Sequence, residues 1–229
     1  MFRAMANNRT TVVFDLDGTL VDSAPDLAGA LNALLREQGL PEIPAASIRD
    51  MVGDGAVKMI ERGLAAAGKT LDGPLPGQLR ERYLEHYRLR LTSQTRPFPG
   101  VVEVLETLSG AGSKLAVCTN KFTDLSRSIL AGLELSRYFD AVVGGDSLSA
   151  QKPDAAPLRA AITRAGGEVG RAVMVGDSIT DVGAARAAGV PVILVSFGYS
   201  SVPARKLGAD LVIDHFDQLL GALDALPRP

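Results

Sequence analysis

The stretch "VVFDLDGTLVDS" at residues 12–23 joins an apolar run directly to an acidic one. Val12, Val13 and Phe14 are continuously apolar, which is typical of a strand buried on both faces of a parallel sheet. Asp15 and Asp17 follow at once. Because residues i and i+2 of an extended segment point to the same side, we expect the two carboxylates to converge where the strand ends. This pairing predicts a functional site at the end of the first strand.

The bulk composition sets the broad class of the protein. The chain has 229 residues, 46% of them hydrophobic, which is enough for one good-sized core or a core with a smaller insert. A formal net charge of −2 favours neither nucleic acid nor an anionic membrane as a partner. The single cysteine, Cys118, excludes an internal disulfide framework, and we find neither a signal peptide nor a run long enough to span a bilayer. These features predict a cytoplasmic protein, either a monomer or a homodimer.

Short apolar runs alternate along the chain with segments of helical length and pattern. The runs are 10–16, 114–120, 141–143, 172–177, 191–196 and 210–214. Such an alternation predicts parallel βαβ units and a three-layer, Rossmann-like α/β core.

The region from about 24 to 95 contains no strand-like run and four segments with a helical pattern. Pro41, the Gly53-Asp54-Gly55 turn and the loop at 74–77 separate these segments. We therefore expect an all-helical cap over the mouth of the core, with a hinge at "RPFPG" (96–100). The predicted boundaries are 1–20 and 96–229 for the core and 21–95 for the cap.

Polar residues follow several of the predicted strands, and ligands of such sheets bind beyond the carboxyl ends of the strands. The candidates are Asp15, Asp17, Gly18, Thr119, Asn120, Lys152, Asp177 and Asp181. Two ionised carboxylates side by side repel each other unless a cation or a proton intervenes. Oxygen ligands without histidine or cysteine nearby favour Mg²⁺ over zinc, and Asp177 would supply a third carboxylate.

Each candidate also has an ordinary structural interpretation. Asp177 or Asp181 could cap the helix that follows, Lys152 could be a surface lysine, and Thr119-Asn120 could be a loop pair. Taken together, however, they supply an anionic metal cage, one cation and several neutral donors. That combination is typical of phosphoryl transfer, in which catalysis is mostly positioning and charge neutralisation.

Four ordered motifs resemble the signature motifs of the haloacid dehalogenase superfamily. They are "DLDGTL" (15–20), "CTN" (118–120), "KP" (152–153) and "GDSITD" (176–181). The resemblance covers the whole chain, because the helical insert lies where that superfamily carries its C1 cap.

The resemblance implies a role for each acidic residue. Asp15 would be the nucleophile that forms an aspartyl-phosphate, and Asp17 would protonate the leaving alcohol and then activate water. Mg²⁺ would be held by the Asp15 carboxylate, the Asp17 backbone carbonyl and Asp177. Asp181 would act on the metal through water.

The remaining candidates would hold the substrate. Gly18 lets the backbone approach a ligand closely. The resemblance implies that Thr119 and the Asn120 region hold phosphate oxygens. It also implies that Lys152 steadies Asp15 and the phosphate together.

Departures from other branches favour hydrolysis. The acidic Asp17 argues against dehalogenases and phosphonoacetaldehyde hydrolases, which lack an acid there. β-Phosphoglucomutases carry a histidine just after the first motif, about where this chain has Leu27. A mutase is therefore the less favoured alternative. A non-catalytic binding protein would be expected to have lost Asp15, Asp17 or Asp177.

Residues 20–32 and 51–68 resemble the phosphoglycolate phosphatase branch. The Gly53 and Gly55 loop could descend onto the crevice and present its amides and a helix N-terminus to a substrate carboxylate. Alternatively, Gly53 ends one helix and Asp54 caps the next, in a plain helix–turn–helix joint. We predict a Mg²⁺-dependent phosphatase for a small phosphorylated metabolite, 2-phosphoglycolate above others. Sugar phosphates, nucleotides and pyrophosphate are the alternatives.

Overall fold

The computed structural model describes residues 10–226. The strands are β1 Thr11–Phe14, β2 Val21–Asp22, β3 Arg96–Pro97, β4 Lys114–Cys118, β5 Ala141–Val143, β6 Ala172–Gly176, β7 Val192–Val195 and β8 Leu211–Ile213. The α-helices are α1 Ala24–Glu37, α2 Ala45–Arg49, α3 Ala56–Ala66, α4 Gly77–Arg88, α5 Val101–Gly110, α6 Thr123–Gly132, α7 Ala155–Arg164, α8 Ile179–Ala188 and α9 Leu219–Ala225.

Six parallel strands form the central sheet, in the order β5-β4-β1-β6-β7-β8. β1 lies in the middle, with Val13 opposite Ala116 of β4 and Met174 of β6. All six predicted strands and the predicted fold class are confirmed. Because the strands are parallel, the segments after β1, β4 and β6 meet at one edge of the sheet.

Helices cover both faces of this sheet, so its strands carry apolar residues on both sides. Val12 and Phe14 pack into a core with residues of α5, α6 and α9, whereas Val13 packs on the opposite face with residues of α7 and α8. Burial on both faces explains why β1 is continuously apolar rather than alternating.

The cap consists of helices α1 to α4, as predicted, and α1 packs mainly against α4. The chain enters and leaves this helical block through the antiparallel pair β2–β3, in which Val21 lies opposite Pro97 and Asp22 opposite Arg96. We did not expect this pair, because two residues are too few to produce a strand pattern. The cap boundary at 21–95 stays a prediction.

A buried aspartate in α1 binds the segment through which the chain leaves the cap. Asp26 of α1 accepts three hydrogen bonds through Oδ2, from Gln94 N at 2.9 Å and from Thr95 N and Thr95 Oγ1 at 2.8 Å each. The loop before β3 is thus held by one carboxylate. Among the described residues, none of the helices has the length and apolarity needed to cross a membrane.

Candidate active site

A cavity of about 120 Å³ lies between the cap and the carboxyl edge of the sheet. Its polar and glycine lining comes from both parts of the molecule: Asp15, Asp17, Thr119, Asn120, Lys121 and Gln151 from the core, and Gly53, Asp54, Gly55, Tyr83 and Tyr87 from the cap. The structure therefore brings the motifs after β1 and β4 together with the glycine loop of the cap.

Lys152 is a buried cation held between two carboxylates. Its side chain is 1% exposed, and its Nζ lies 2.9 Å from Asp15 Oδ1 and 2.6 Å from Asp181 Oδ1. Asp15 itself is fixed by its backbone N–H, which donates to Val175 O at 2.9 Å. Lys152 is thus an internal counter-ion and not a surface lysine.

Burial and neighbouring charges shift the protonation equilibria of this group. Burial raises the pKa of Asp15 to about 6, although the Lys152 ammonium opposes the rise and Asp181 adds to it. Burial lowers the pKa of Lys152, but the Asp15 and Asp181 charges outweigh it and leave that pKa well above its usual range. Lys152 therefore stays charged at neutral pH.

Asp177 joins the same acidic cluster. One oxygen each of Asp15, Asp177 and Asp181 lie within 4.8 Å of one another, and all three residues are buried. Burial, followed by the charges of Asp181 and Asp15, raises the pKa of Asp177 well above its usual range. Such crowding is relieved by a bound cation.

The cluster offers suitable ligands for a divalent cation. Lys152 Nζ lies 2.9 Å from one oxygen of Asp15, Oδ1, and Asp177 uses one oxygen, Oδ2, to accept from Tyr199 N at 2.7 Å, so each carboxylate has a second oxygen to offer. Asp15 and Asp177 thus keep coordination capacity, and hard carboxylate oxygens suit a divalent cation that prefers oxygen.

Asp181 has little capacity left for a direct bond to a metal. Its Oδ2 accepts from Ser178 Oγ at 2.6 Å and from the backbone N–H groups of Asp177 and Ser178 at 3.1 Å each, while Oδ1 faces Lys152. Ser178 and Asp181 form a capping box at the start of α8. Asp181 therefore both caps its helix and orients Lys152.

Gly18 lies against the Asp177 carboxylate. A Cβ at this position would overlap Asp177 Oδ2, and the φ angle of +82° is one that residues with side chains rarely adopt. Gly18 is not among the residues that line the cavity. The structure thus shows a close approach of Gly18 to Asp177, and the expected approach to a ligand stays a prediction.

Asp17 lines the same cavity as Asp15 but has its own partners. Lys121 Nζ lies 2.8 Å from Asp17 Oδ2, and Ser23 Oγ donates to Asp17 Oδ1 at 2.5 Å. The two aspartates after β1 are thus each matched with a separate lysine. We had assigned no role to Lys121, although its position directly after the Thr-Asn pair was a usable signal.

Thr119 and Asn120, the polar pair after β4, make different contacts. Thr119 Oγ1 accepts from Lys121 N at 3.2 Å and lines the cavity. The Asn120 amide instead joins three loops: Nδ2 donates to Gly53 O at 3.2 Å and Lys152 O at 3.1 Å, and Oδ1 accepts from Lys152 N at 3.0 Å. The Asn120 side chain therefore positions these loops.

The glycine loop of the cap covers the cavity, and α3 begins directly after it. Gly55, with φ of 85°, occupies the cap position of α3, and no side chain caps that helix. Asp54 instead forms an ion pair with Arg62. The alternative in which Asp54 caps α3 is therefore wrong.

Tyr199 connects the acidic cluster to the entry of the cap. Its N–H holds Asp177, its hydroxyl donates to Asp22 Oδ1 at 2.7 Å, and the same hydroxyl accepts from Ala24 N at 3.0 Å. Its partners in β2 and α1 are about 175 positions away in the chain, so no local pattern could show them.

Comparison with known proteins agrees with this geometry. The family model for haloacid dehalogenase-like hydrolases matches residues 12–195. The chain belongs to this family. The resemblance identified from the four motifs is confirmed, and this haloacid dehalogenase-like hydrolase carries the helical insert between its first two core strands.

Several proteins similar to this hydrolase are named phosphoglycolate phosphatase. The phosphoglycolate phosphatase of Caulobacter vibrioides is 53% identical over 209 residues, which cover 91% of this chain and 88% of that protein. The phosphoglycolate phosphatase of Agrobacterium fabrum is 46% identical over 211 residues, covering 92% and 91%. Among solved structures, a predicted phosphoglycolate phosphatase from Haemophilus somnus 129pt superposes with a TM-score of 0.86 at 32% identity, covering 93% of this chain and 97% of that one.

Proposed function

We propose that this hydrolase is a Mg²⁺-dependent phosphatase that cleaves a small phosphomonoester, 2-phosphoglycolate, through an aspartyl-phosphate. The observation that carries the proposal is the buried Asp15–Lys152 pair, which lies beside Asp177 and opens into a cavity covered by the cap. The name of the similar proteins supports the choice of substrate.

Asp15 is the proposed nucleophile. With its pKa at about 6, it is mostly ionised at neutral pH, and Lys152 fixes one of its oxygens. A carboxylate oxygen attacks phosphorus, a new P–O bond forms to Asp15, and the bond from phosphorus to the ester oxygen breaks. Water then attacks the aspartyl-phosphate, which releases inorganic phosphate and restores the carboxylate.

Asp17 is the proposed general acid and base. It gives a proton to the departing alkoxide and takes one from the attacking water, so the proton balance closes over one turnover. Ser23 and Lys121 hold its carboxylate at the cavity wall in a fixed orientation.

The carboxylates of Asp15 and Asp177, with the Asp17 backbone carbonyl, would hold Mg²⁺, while Asp181 would act through water. Bound there, the ion neutralises negative charge on the phosphate and on the crowded carboxylates. Lys152 adds a second positive charge next to Asp15. In this proposal the Thr119 hydroxyl and the backbone at Asn120 hold phosphate oxygens.

The direct test is Mg²⁺-dependent release of phosphate from a panel of substrates. The panel contains 2-phosphoglycolate, hexose phosphates, nucleoside monophosphates, pyrophosphate and glucose 1-phosphate. Asp15→Asn serves as the blank, because an amide cannot act as the nucleophile, and we expect no turnover above background with a retained fold.

The proposal expects kcat/KM for 2-phosphoglycolate to stand well above the values for the other substrates. A flat profile, or a peak elsewhere on the panel, would keep the phosphatase chemistry and reject this substrate. Conversion of glucose 1-phosphate to glucose 6-phosphate would favour the mutase alternative. Activity retained by Asp15→Asn would reject the nucleophile.

A further inference from the structure

Lys121 stands out when the charges around the cavity are matched with their partners. The acidic lining residues are Asp15, Asp17 and Asp54, and each has a cation: Lys152, Lys121 and Arg62, respectively. Of these three cations, only Lys121 lines the cavity itself. It is also the sole Lys or Arg among the described lining residues.

The position of Lys121 joins the core to the cap. Its side chain leaves the loop after β4, is 7% exposed, and places Nζ 2.8 Å from Asp17 Oδ2. The same Nζ lies 4.6 Å from the centre of the Tyr87 ring on α4 of the cap. An ammonium group has three donors, so its bond to Asp17 leaves two for a ligand.

Tyr87 supplies a second, independent observation. It is 1% exposed and lines the same cavity, and its buried hydroxyl has no hydrogen-bond partner among the described residues. A buried hydroxyl without a partner is uncommon, since leaving it unpaired costs free energy. A bound acceptor would satisfy it.

We propose that Lys121, assisted by the Tyr87 hydroxyl, binds the carboxylate of the substrate and makes the enzyme selective for acidic phosphomonoesters. This inference rests on the proposed function. Thr119 and Lys121 are two residues apart on one loop, so a phosphate near Thr119 and a carboxylate near Lys121 suit a substrate as short as 2-phosphoglycolate.

Apolar cap and core residues complete the lining, among them Leu27, Met59 and Leu84. They keep the surroundings of the ammonium poor in water, and a charge-assisted hydrogen bond is stronger there than in solvent. A neutral group in place of the carboxylate would leave the Lys121 donors without an anionic partner.

The experiment compares 2-phosphoglycolate with its primary amide, 2-phosphoglycolamide, in which the carboxylate is replaced by a neutral group of nearly the same size. The readout is the ratio of kcat/KM for the acid to kcat/KM for the amide. Lys121→Met should lower this ratio about 10- to 100-fold, the range expected on loss of a hydrogen bond between charged groups. Lys58→Met is the matched control, because Lys58 lies on α3 outside the cavity and pairs with Glu61; its ratio should stay at the wild-type value.

Tyr87→Phe keeps the test decisive if Lys121→Met fails to fold. Within residues 10–226 the Tyr87 hydroxyl has no hydrogen-bond partner whose loss could destabilise the protein. We expect the ratio to fall about 10-fold, the lower end of the range for loss of one hydrogen bond to a charged acceptor.

Equal losses of activity on the acid and the amide in both variants would overturn the inference, since Lys121 would then act only through Asp17. A wild-type ratio near one would also overturn it, because the enzyme would then not distinguish the carboxylate from a neutral group. The proposed function fails separately, if the substrate panel gives a flat profile or a peak on another phosphate ester.

Discussion

Asp15 and Asp17 are two positions apart in the chain, yet different groups surround their carboxylates. Asp15 is matched with Lys152 and packed among other carboxylates, whereas Asp17 is held by Lys121 and Ser23 on the side of the cap. In the proposed mechanism Asp15 attacks phosphorus, whereas Asp17 gives a proton to the departing alkoxide and takes one from the attacking water. Environment separates two roles for the same residue type.

The role of Asp17 can be tested through the leaving group. Asp17→Asn should lower kcat for an alkyl phosphate such as 2-phosphoglycolate about 10²- to 10⁴-fold, because an alkoxide needs a proton to depart. Hydrolysis of p-nitrophenyl phosphate should fall much less, since its phenolate leaves without one. Equal slowing of both substrates in steady-state kinetics would contradict the acid role.

The acidic cluster predicts a pH-dependent response to metal. Folding raises the pKa of Asp15 to about 6, so without metal its ionisation destabilises the folded state increasingly as the pH rises from about 4 through 6. Mg²⁺ offsets this repulsion, and at a hundredfold excess over Kd it should raise Tm by about 5 °C or more at pH 7.5. The rise should be smaller at pH 5, where protons compete with the ion.

Differential scanning fluorimetry with and without EDTA measures this response. Asp177→Asn is the control and should lose most of the gain, because it removes one carboxylate from the cluster. A Tm shift that is the same at both pH values, or that survives in Asp177→Asn, would place the cation elsewhere.

At the scale of elements, the sequence was most informative where a pattern repeats locally. The six core strands are buried on both faces, so each is a continuous apolar run that the eye can find. The four cap helices are separated by proline and glycine and were equally visible. The β2–β3 pair could not be seen in the sequence, because each of its strands is only two residues long.

The partners within the site were much less predictable than the site residues themselves. Motif order placed Asp15, Lys152, Asp177 and Asp181 together. The Lys121–Asp17 pair joins loops 104 positions apart, and the Asn120 amide bridges loops 67 and 32 positions away. Such contacts depend on how loops that are distant in the chain pack together, which leaves no periodic trace in the sequence.

A stability prediction belongs to the junction between α1 and β3. Asp26→Ala should destabilise the protein by about 3 kcal/mol, because three donors at Gln94 and Thr95 lose a buried charged acceptor. Urea unfolding measures the effect. Glu42→Ala is the control: Glu42 forms an exposed ion pair with Arg36, and such pairs contribute little to stability. Similar losses in the two variants would mean that the Asp26 bonds are not responsible.

At the scale of the whole molecule, Tyr199 links the catalytic cluster to the cap. Its backbone N–H holds Asp177, while its hydroxyl reaches Asp22 and the start of α1. Arg49 of α2 extends this connection, because its guanidinium pairs with Asp22 at 2.6 Å and lies 5.2 Å from the centre of the Tyr199 ring. The base of the cap is thus tied to the loop that fixes one proposed metal ligand.

Tyr199→Phe separates the two tasks of this residue. The backbone N–H that holds Asp177 remains, so Mg²⁺ affinity should stay within about twofold of wild type, because no bond to that ligand is removed. The hydroxyl link is lost, so limited proteolysis of the loop at 89–95 should become faster. A large loss of Mg²⁺ affinity with unchanged proteolysis would reverse the assignment.

The antiparallel β2–β3 pair has a consequence for how the substrate specificity of such an enzyme can change during evolution. The helical insert leaves and rejoins the core through two neighbouring strands, so its two ends lie side by side. An insert with adjacent ends can be exchanged as one cassette without moving the core segments to which it is joined. Replacing the cassette leaves the order of the six core strands untouched. A chimera that carries a relative's insert between Asp22 and Arg96 should therefore keep the ability to cleave phosphate esters while inheriting the donor's preference among them.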